Sequence, residues 1–164
     1  MRYTTVDLER FHIYQNLAGL NELPTEAAES LFLSCCQSGE WARQMSEARP
    51  FIMVENLFER AGQIWLSLTP KDWLDVIGSK FTSKAAISDQ AVLTEDEVHL
   101  AQAARLYEEK FGFIFLPDIG GKNAAASLRE CLDRLANSPE IELRNAVQTR
   151  QKITEKGLNL ILEK

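Results

Sequence analysis

Residues 94–117 read TEDEVHLAQAARLYEEKFGFIFLP, and the punctuation of this stretch decides the fold class. Thr94 followed three residues later by Glu97 is a capping box, in which hydroxyl and carboxylate each satisfy a backbone N–H that the first helical turn would otherwise leave unpaired. The spacing predicts a helix from there to about Lys110. Beyond it, Phe111 to Leu116 is short, aromatic and ended by Pro117, and no second strand is available to pair with it. It reads as a buried connector or an isolated extended segment, not as part of a sheet.

The same helical punctuation recurs on both sides. Pro24 ahead of Thr25-Glu26-Ala27-Ala28 opens a helix expected to reach about Cys36, and Thr69-Pro70 and Ser138-Pro139 each pair a hydroxyl N-cap with a proline in the first turn, where its missing N–H costs nothing. Val54, Phe58, Ala61, Trp65 and Leu68 recur at helical spacing and predict one amphipathic face. Ala146, Ile153 and Leu160, seven residues apart, are expected to form a core-facing stripe of the last helix. Gly78 to Leu93 lacks periodicity and is long enough for a functional loop. Together these signals predict an all-α, single compact helical domain over residues 1–164, with about seven to eight helices.

Composition narrows the partners. A chain of 164 residues with a hydrophobic fraction of 45% can bury one continuous core, and it has no apolar run near the roughly 20 residues of a membrane span. The opening MRYTTVDLER has no apolar signal region, which places the protein in the cytoplasm. Eighteen scattered Lys and Arg against 24 Asp and Glu leave no basic footprint for nucleic acid. Cys35, Cys36 and Cys131 lack metal-ligand spacing and read as buried thiols.

Chemistry is sparse when the residues are read on their own. Gly120-Gly121-Lys122 ahead of a helix resembles an anion site or, more simply, a turn. His99 falls among helix-surface residues, the acidic pairs Asp96-Glu97 and Glu108-Glu109 read as solvated, and Trp41, Trp65 and Trp73 read as core anchors.

A particular order of residues adds to this. Cys35-Cys36, Ser38, Trp41-Ala42, Met45, Arg49-Pro50-Phe51, Trp65 and Asp72-Trp73-Leu74 are followed by Tyr107-Glu108-Glu109-Lys110-Phe111-Gly112, then Arg134-Leu135, Asn137, Glu142, Ala146, Gln151 and Lys152-Ile153. From about residue 20 to the end, this order resembles the 2-oxo-4-hydroxy-4-carboxy-5-ureidoimidazoline (OHCU) decarboxylases. The resemblance implies an all-helical, cofactor-free and metal-free carboxy-lyase of purine breakdown that yields S-allantoin, usually as a homodimer.

It also implies a set of working groups: a His in an H-P-x-I-G loop after the D-W-L helix, a Glu-Gln pair beyond it, an Asn three residues before the Tyr, and an Arg in the last helix. Carried over one by one, the His loop is replaced by Gly78-Ser79-Lys80-Phe81-Thr82-Ser83, the acidic pair falls on Asp89-Gln90, the Asn on Ala104 and the Arg on Gly157. The resulting expectation is a lost or altered activity with Asp89 as the acid/base group, and Gln90, Lys80, Ile114, Phe115 and Leu116 around a small-molecule ligand. The competing expectation is a non-catalytic paralogue that binds a small molecule or a protein partner.

Overall fold

The computed structural model describes residues 5–78, 93–118 and 123–164, with side chains from residue 12 onward. Among the described residues there are eight helices and no strand: α1 Thr5–Glu22, α2 Thr25–Cys36, α3 Gly39–Glu47, α4 Val54–Ser67, α5 Pro70–Gly78, α6 Glu95–Phe111, α7 Ala124–Arg134 and α8 Pro139–Leu162. The all-α expectation holds. No described helix is long and apolar enough to cross a membrane. The chain divides into two compact units, Met1–Asp72 with Gln151–Lys164, and Trp73–Arg150, with the continuous helices α5 and α8 contributing residues to both.

In the first unit, Ser38 caps α3 by accepting from the Trp41 backbone N–H at 3.2 Å, and this sends Trp41, Ala42 and Met45 inward. The Trp41 indole N–H then donates to the carbonyl of Ala61 at 3.0 Å, so the polar edge of a fully buried ring is satisfied. Phe32 packs edge-on against both Trp41 and Phe51, with centroids 5.9 and 6.5 Å apart. Arg49 donates to the carbonyls of Leu20 at 2.9 Å and Leu23 at 2.7 Å, supplying donors where α1 ends and its last carbonyls have none within the helix. Asn21 makes a reciprocal pair with the backbone of Phe51, both bonds 2.8 Å long. The peptide bond Arg49-Pro50 is cis.

Two expectations about helix faces need adjusting. In α4 the buried positions are Leu57, Ala61, Ile64 and Trp65, while Val54 and Phe58 are half-buried, so the face is rotated slightly from the one expected. In α8 the seven-residue stripe fails at Leu160, which is 58% exposed. The buried line instead steps by four residues through Ala146, Arg150, Thr154, Leu158 and Leu162. A count of apolar residues misses it because two of its members are polar.

Gly157 in α8 has a packing reason. A Cβ built there would lie 3.2 Å from both Cα and Cβ of Cys35 and 3.4 Å from its Sγ, a tighter contact than most Cβ atoms make, so the close approach of the two helix backbones favours a glycine. The three cysteines are all buried and free. Burial pushes the Cys35 thiol up to about 11, with a smaller contribution from the neighbouring Cys36, and burial also raises Cys131. At pH 8 the native Cys35 thiol is therefore expected to react with Ellman's reagent about a hundredfold more slowly than in denaturant, because only the thiolate attacks. A fast native phase that disappears in Cys35→Ala would refute this.

Candidate functional site

The second unit holds Tyr107 and the residues that follow it in the family order, Arg134, Asn137 and Glu142. Thr94 and Glu97 form the expected capping box, with the Glu97 N–H donating to Thr94 Oγ1 at 3.3 Å and the Thr94 N–H to Glu97 Oε2 at 2.7 Å. That box starts α6 in the register that buries Ala103 and Tyr107. The helix ends at Gly112, whose φ of 79° is the left-handed conformation that glycine adopts without strain. Phe111, expected to begin the connector, is the last residue of α6, and the turn at Gly112 sends Phe113 back into the interior.

Inside, four side chains converge on the carboxylate of Glu142, which is completely buried. Tyr107 donates its hydroxyl proton to Oε2, Arg134 donates Nε to the same oxygen at 3.0 Å and forms an ion pair with it through Nη2 at 2.9 Å while Nη2 donates to the Tyr107 hydroxyl oxygen at 3.2 Å, and Asn137 and Asn145 donate to Oε1 at 2.7 and 2.9 Å. Burial by itself would raise the Glu142 pKa, but the hydrogen bonds from Asn137, Tyr107, Arg134 and Asn145 outweigh it and hold the carboxyl below its ordinary value. Tyr107 is shifted upward by burial and by Glu142, so it stays a proton donor across the working pH range.

Arg134 links this cluster to the connector. Its Nη1 donates to the Leu116 carbonyl at 2.8 Å and to Glu130 Oε1 at 3.1 Å, and its guanidinium lies 5.0 Å from the Phe115 ring centroid and 5.6 Å from that of Tyr107. Lys110 donates to the carbonyls of Leu135 at 2.5 Å and Asn137 at 3.2 Å, covering the end of α7. Tyr107, Lys110, Gly112, Arg134, Asn137 and Glu142 thus build and hold a backbone arrangement. Tyr107, Arg134, Asn137 and Glu142 form the largely buried ionic part of this scaffold, and Lys110 and Gly112 are exposed at its edge.

Of the residues expected at a ligand site, Ile114, Phe115 and Leu116 are half-buried on that scaffold. Lys80, Asp89 and Gln90 lie outside the described residues, as does Gly120-Gly121-Lys122. Ala104 sits half-buried in α6, where its methyl group can make no hydrogen bond. His99 and the pairs Asp96-Glu97 and Glu108-Glu109 are exposed. Trp41 and Trp65 are core residues, and Trp73 is half-buried. Glu130 is a member of the cluster that sequence reasoning missed. Its position four residues before Arg134, at the spacing of a helical ion pair, was the available signal.

A helical protein with a buried Tyr-Glu-Arg core carrying a short aromatic connector is the class that these two units define. The family described as OHCU decarboxylase matches residues 21–159. The Arabidopsis thaliana "Uric acid degradation bifunctional protein TTL" is 32% identical over 150 residues, which cover 79% of this chain and 46% of that protein. The chain therefore spans about half the length of that relative. A crystal structure of an OHCU decarboxylase in the presence of (S)-allantoin is 28% identical and superposes with a TM-score of 0.68, covering 81% of this chain and 97% of the other. An (S)-allantoin synthase structure has the same fold, with a TM-score of 0.69 at 17% identity over 88% of this chain and 53% of that one. This chain belongs to the OHCU decarboxylase family.

Proposed function

We propose that this chain is a diverged OHCU decarboxylase of urate breakdown whose decarboxylation is lost or altered. The reaction at issue cleaves the bond between a ring carbon and its carboxylate, releases carbon dioxide, leaves the electron pair in the adjacent π system and adds a proton to one face of that carbon. It requires a group that fixes the carboxylate and a group that delivers the proton. The observation that carries the proposal is the packing at Gly157. At the position where the resemblance calls for an arginine, the chain has a glycine, and a Cβ there would meet Cys35 at 3.2 Å, so the close helix packing disfavours a side chain. Ala104, at the asparagine position, adds a second missing hydrogen-bonding group.

What remains for a ligand is the surface of Ile114, Phe115 and Leu116 with Asp89 as acid/base group, Gln90 as orienting amide and Lys80 as cation. The same reading makes the chain a single cytoplasmic domain that works as a homodimer without a cofactor, binding neither nucleic acid nor membrane. Light scattering at micromolar concentration tests the dimer.

The activity test oxidises urate enzymatically and follows S-allantoin by circular dichroism, with and without the purified protein and beside the Arabidopsis relative. Loss of a general acid/base alone removes about 10²- to 10⁴-fold, so the expected trace is close to the uncatalysed one. Rapid formation of S-allantoin, abolished by Asp89→Ala, would show that full activity persists on a different set of groups.

A further inference from the structure

The connector is held on both sides of Pro117 by two residues of one helix. Proline has no N–H, so the flanking backbone groups cannot enter a regular hydrogen-bond pattern through it. The Leu116 carbonyl instead accepts from Arg134 Nη1 at 2.8 Å, and the Asp118 N–H donates to the Glu130 carboxylate, 3.1 Å from Oε1 and 3.4 Å from Oε2. Glu130 and Arg134 are also bonded to each other at 3.1 Å, one helical turn apart on α7, with side chains only 17% and 11% exposed. Arg134 already has a fully buried counter-ion in Glu142, so Glu130 is not needed to neutralise it. The Glu130 carboxylate also accepts the backbone N–H that follows Pro117.

We propose that Glu130 and Arg134 are positioning residues: a two-point clamp across Pro117 that sets the backbone of residues 114–118 and so presents Ile114, Phe115 and Leu116 to a small ligand. The ligand part rests on the function proposed above, whereas the clamp does not. Arg134 is tied into the core and its removal would disturb folding, so Glu130 is the residue to vary. Its truncation removes one acceptor of Arg134 Nη1 but leaves every hydrogen bond to Glu142 in place.

The test compares wild type, Glu130→Ala and Glu130→Gln by amide hydrogen exchange and by titration with (S)-allantoin. A hydrogen bond to a charged carboxylate that guards one amide is lost in Glu130→Ala, so exchange at Asp118 is expected to rise about tenfold or more, with the middle of α6 unchanged. Glu130→Gln retains an acceptor oxygen without the charge and is expected to restore part of that protection. Unchanged exchange at Asp118, or an equal rise throughout the second unit, would overturn the clamp. In the titration, weaker binding by Glu130→Ala than by wild type supports the positioning role, and equal binding overturns it. If wild type itself fails to bind (S)-allantoin, the ligand reading falls, and the exchange data decide the clamp alone.

Discussion

Glu142→Ala is expected to destabilise the protein by about 3–5 kcal/mol, the cost of removing one partner from a buried ion pair. The truncation leaves more than a cavity. Tyr107, Asn137 and Asn145 lose their acceptor together, and Arg134 loses the acceptor of its Nε and its buried charge partner while remaining only 11% exposed. Each unpaired buried group carries its own desolvation penalty, so the effect exceeds that of a lost surface ion pair, which is about 0–1 kcal/mol. For a chain of this size the loss corresponds to a melting temperature lower by about 6–20 °C. Tyr107→Phe, which removes one donor to Glu142 and the acceptor of Arg134 Nη2 but leaves the ion pair in place, is expected to cost about 1–3 kcal/mol. A melting temperature for Glu142→Ala within 2 °C of wild type, on the order of a single kcal/mol, would mean that the cluster is dispensable.

The same carboxylate gives stability a pH dependence of known sign. Glu142 is held below its ordinary value in the folded protein, so the unfolded chain binds the proton more readily. Its contribution is fully present above the unfolded carboxyl range near 4.5 and is lost as the pH falls through the lower, folded value. The difference in melting temperature between wild type and Glu142→Gln should accordingly be constant from pH 7 to about 5 and shrink below about 4. A difference that grows on acidification would contradict the assigned shift.

Gly157→Arg is the second substitution with a large expected effect. Installing the residue that the family resemblance calls for should damage this protein, not repair it. Gly157→Ala isolates the first atom: helix propensity favours alanine by about 1 kcal/mol, but the added Cβ meets Cys35 Cα and Cβ at 3.2 Å, and overpacking costs about 1–3 kcal/mol. The net expectation for alanine is a small loss of stability. Arginine adds a long charged side chain to the same close contact and is expected to reach or exceed the upper end of that overpacking range. Cys35→Ala should rescue neither variant, because two of the three close atoms are the Cα and Cβ that alanine retains. A Gly157→Ala protein more stable than wild type by the full propensity gain would mean that α2 yields easily and that the position is not closed.

The helices were legible in the sequence because their signals are local. Thr94 and Glu97, Thr69-Pro70 and Ser138-Pro139 place helix starts at Glu95, Pro70 and Pro139, since a cap is satisfied within three residues of itself. The family order was legible for a related reason: Ser38, Trp41, Arg49, Tyr107, Arg134 and Glu142 are scaffold residues whose mutual spacing follows from the fold they hold. Helix faces were less legible. The α8 line through Arg150 and Thr154 is hidden from an apolar count, and Leu160 at an apolar position of the expected stripe is exposed.

The candidate site divides along the same boundary between local and long-range information. The sequence by itself determined an all-helical chain, its capping points and the absence of a histidine or arginine at positions where the family resemblance calls for them. Only the tertiary structure decided why Gly157 is a glycine, because Cys35 is 122 positions away in the chain and nothing local to α8 announces its backbone. It likewise decided that Glu130, outwardly one more helix-surface acid, spans Pro117 by accepting from Asp118. Hydrogen bonds within a turn are written in neighbouring letters, whereas the closeness of two helices and the aim of a buried carboxylate exist only once the chain has packed.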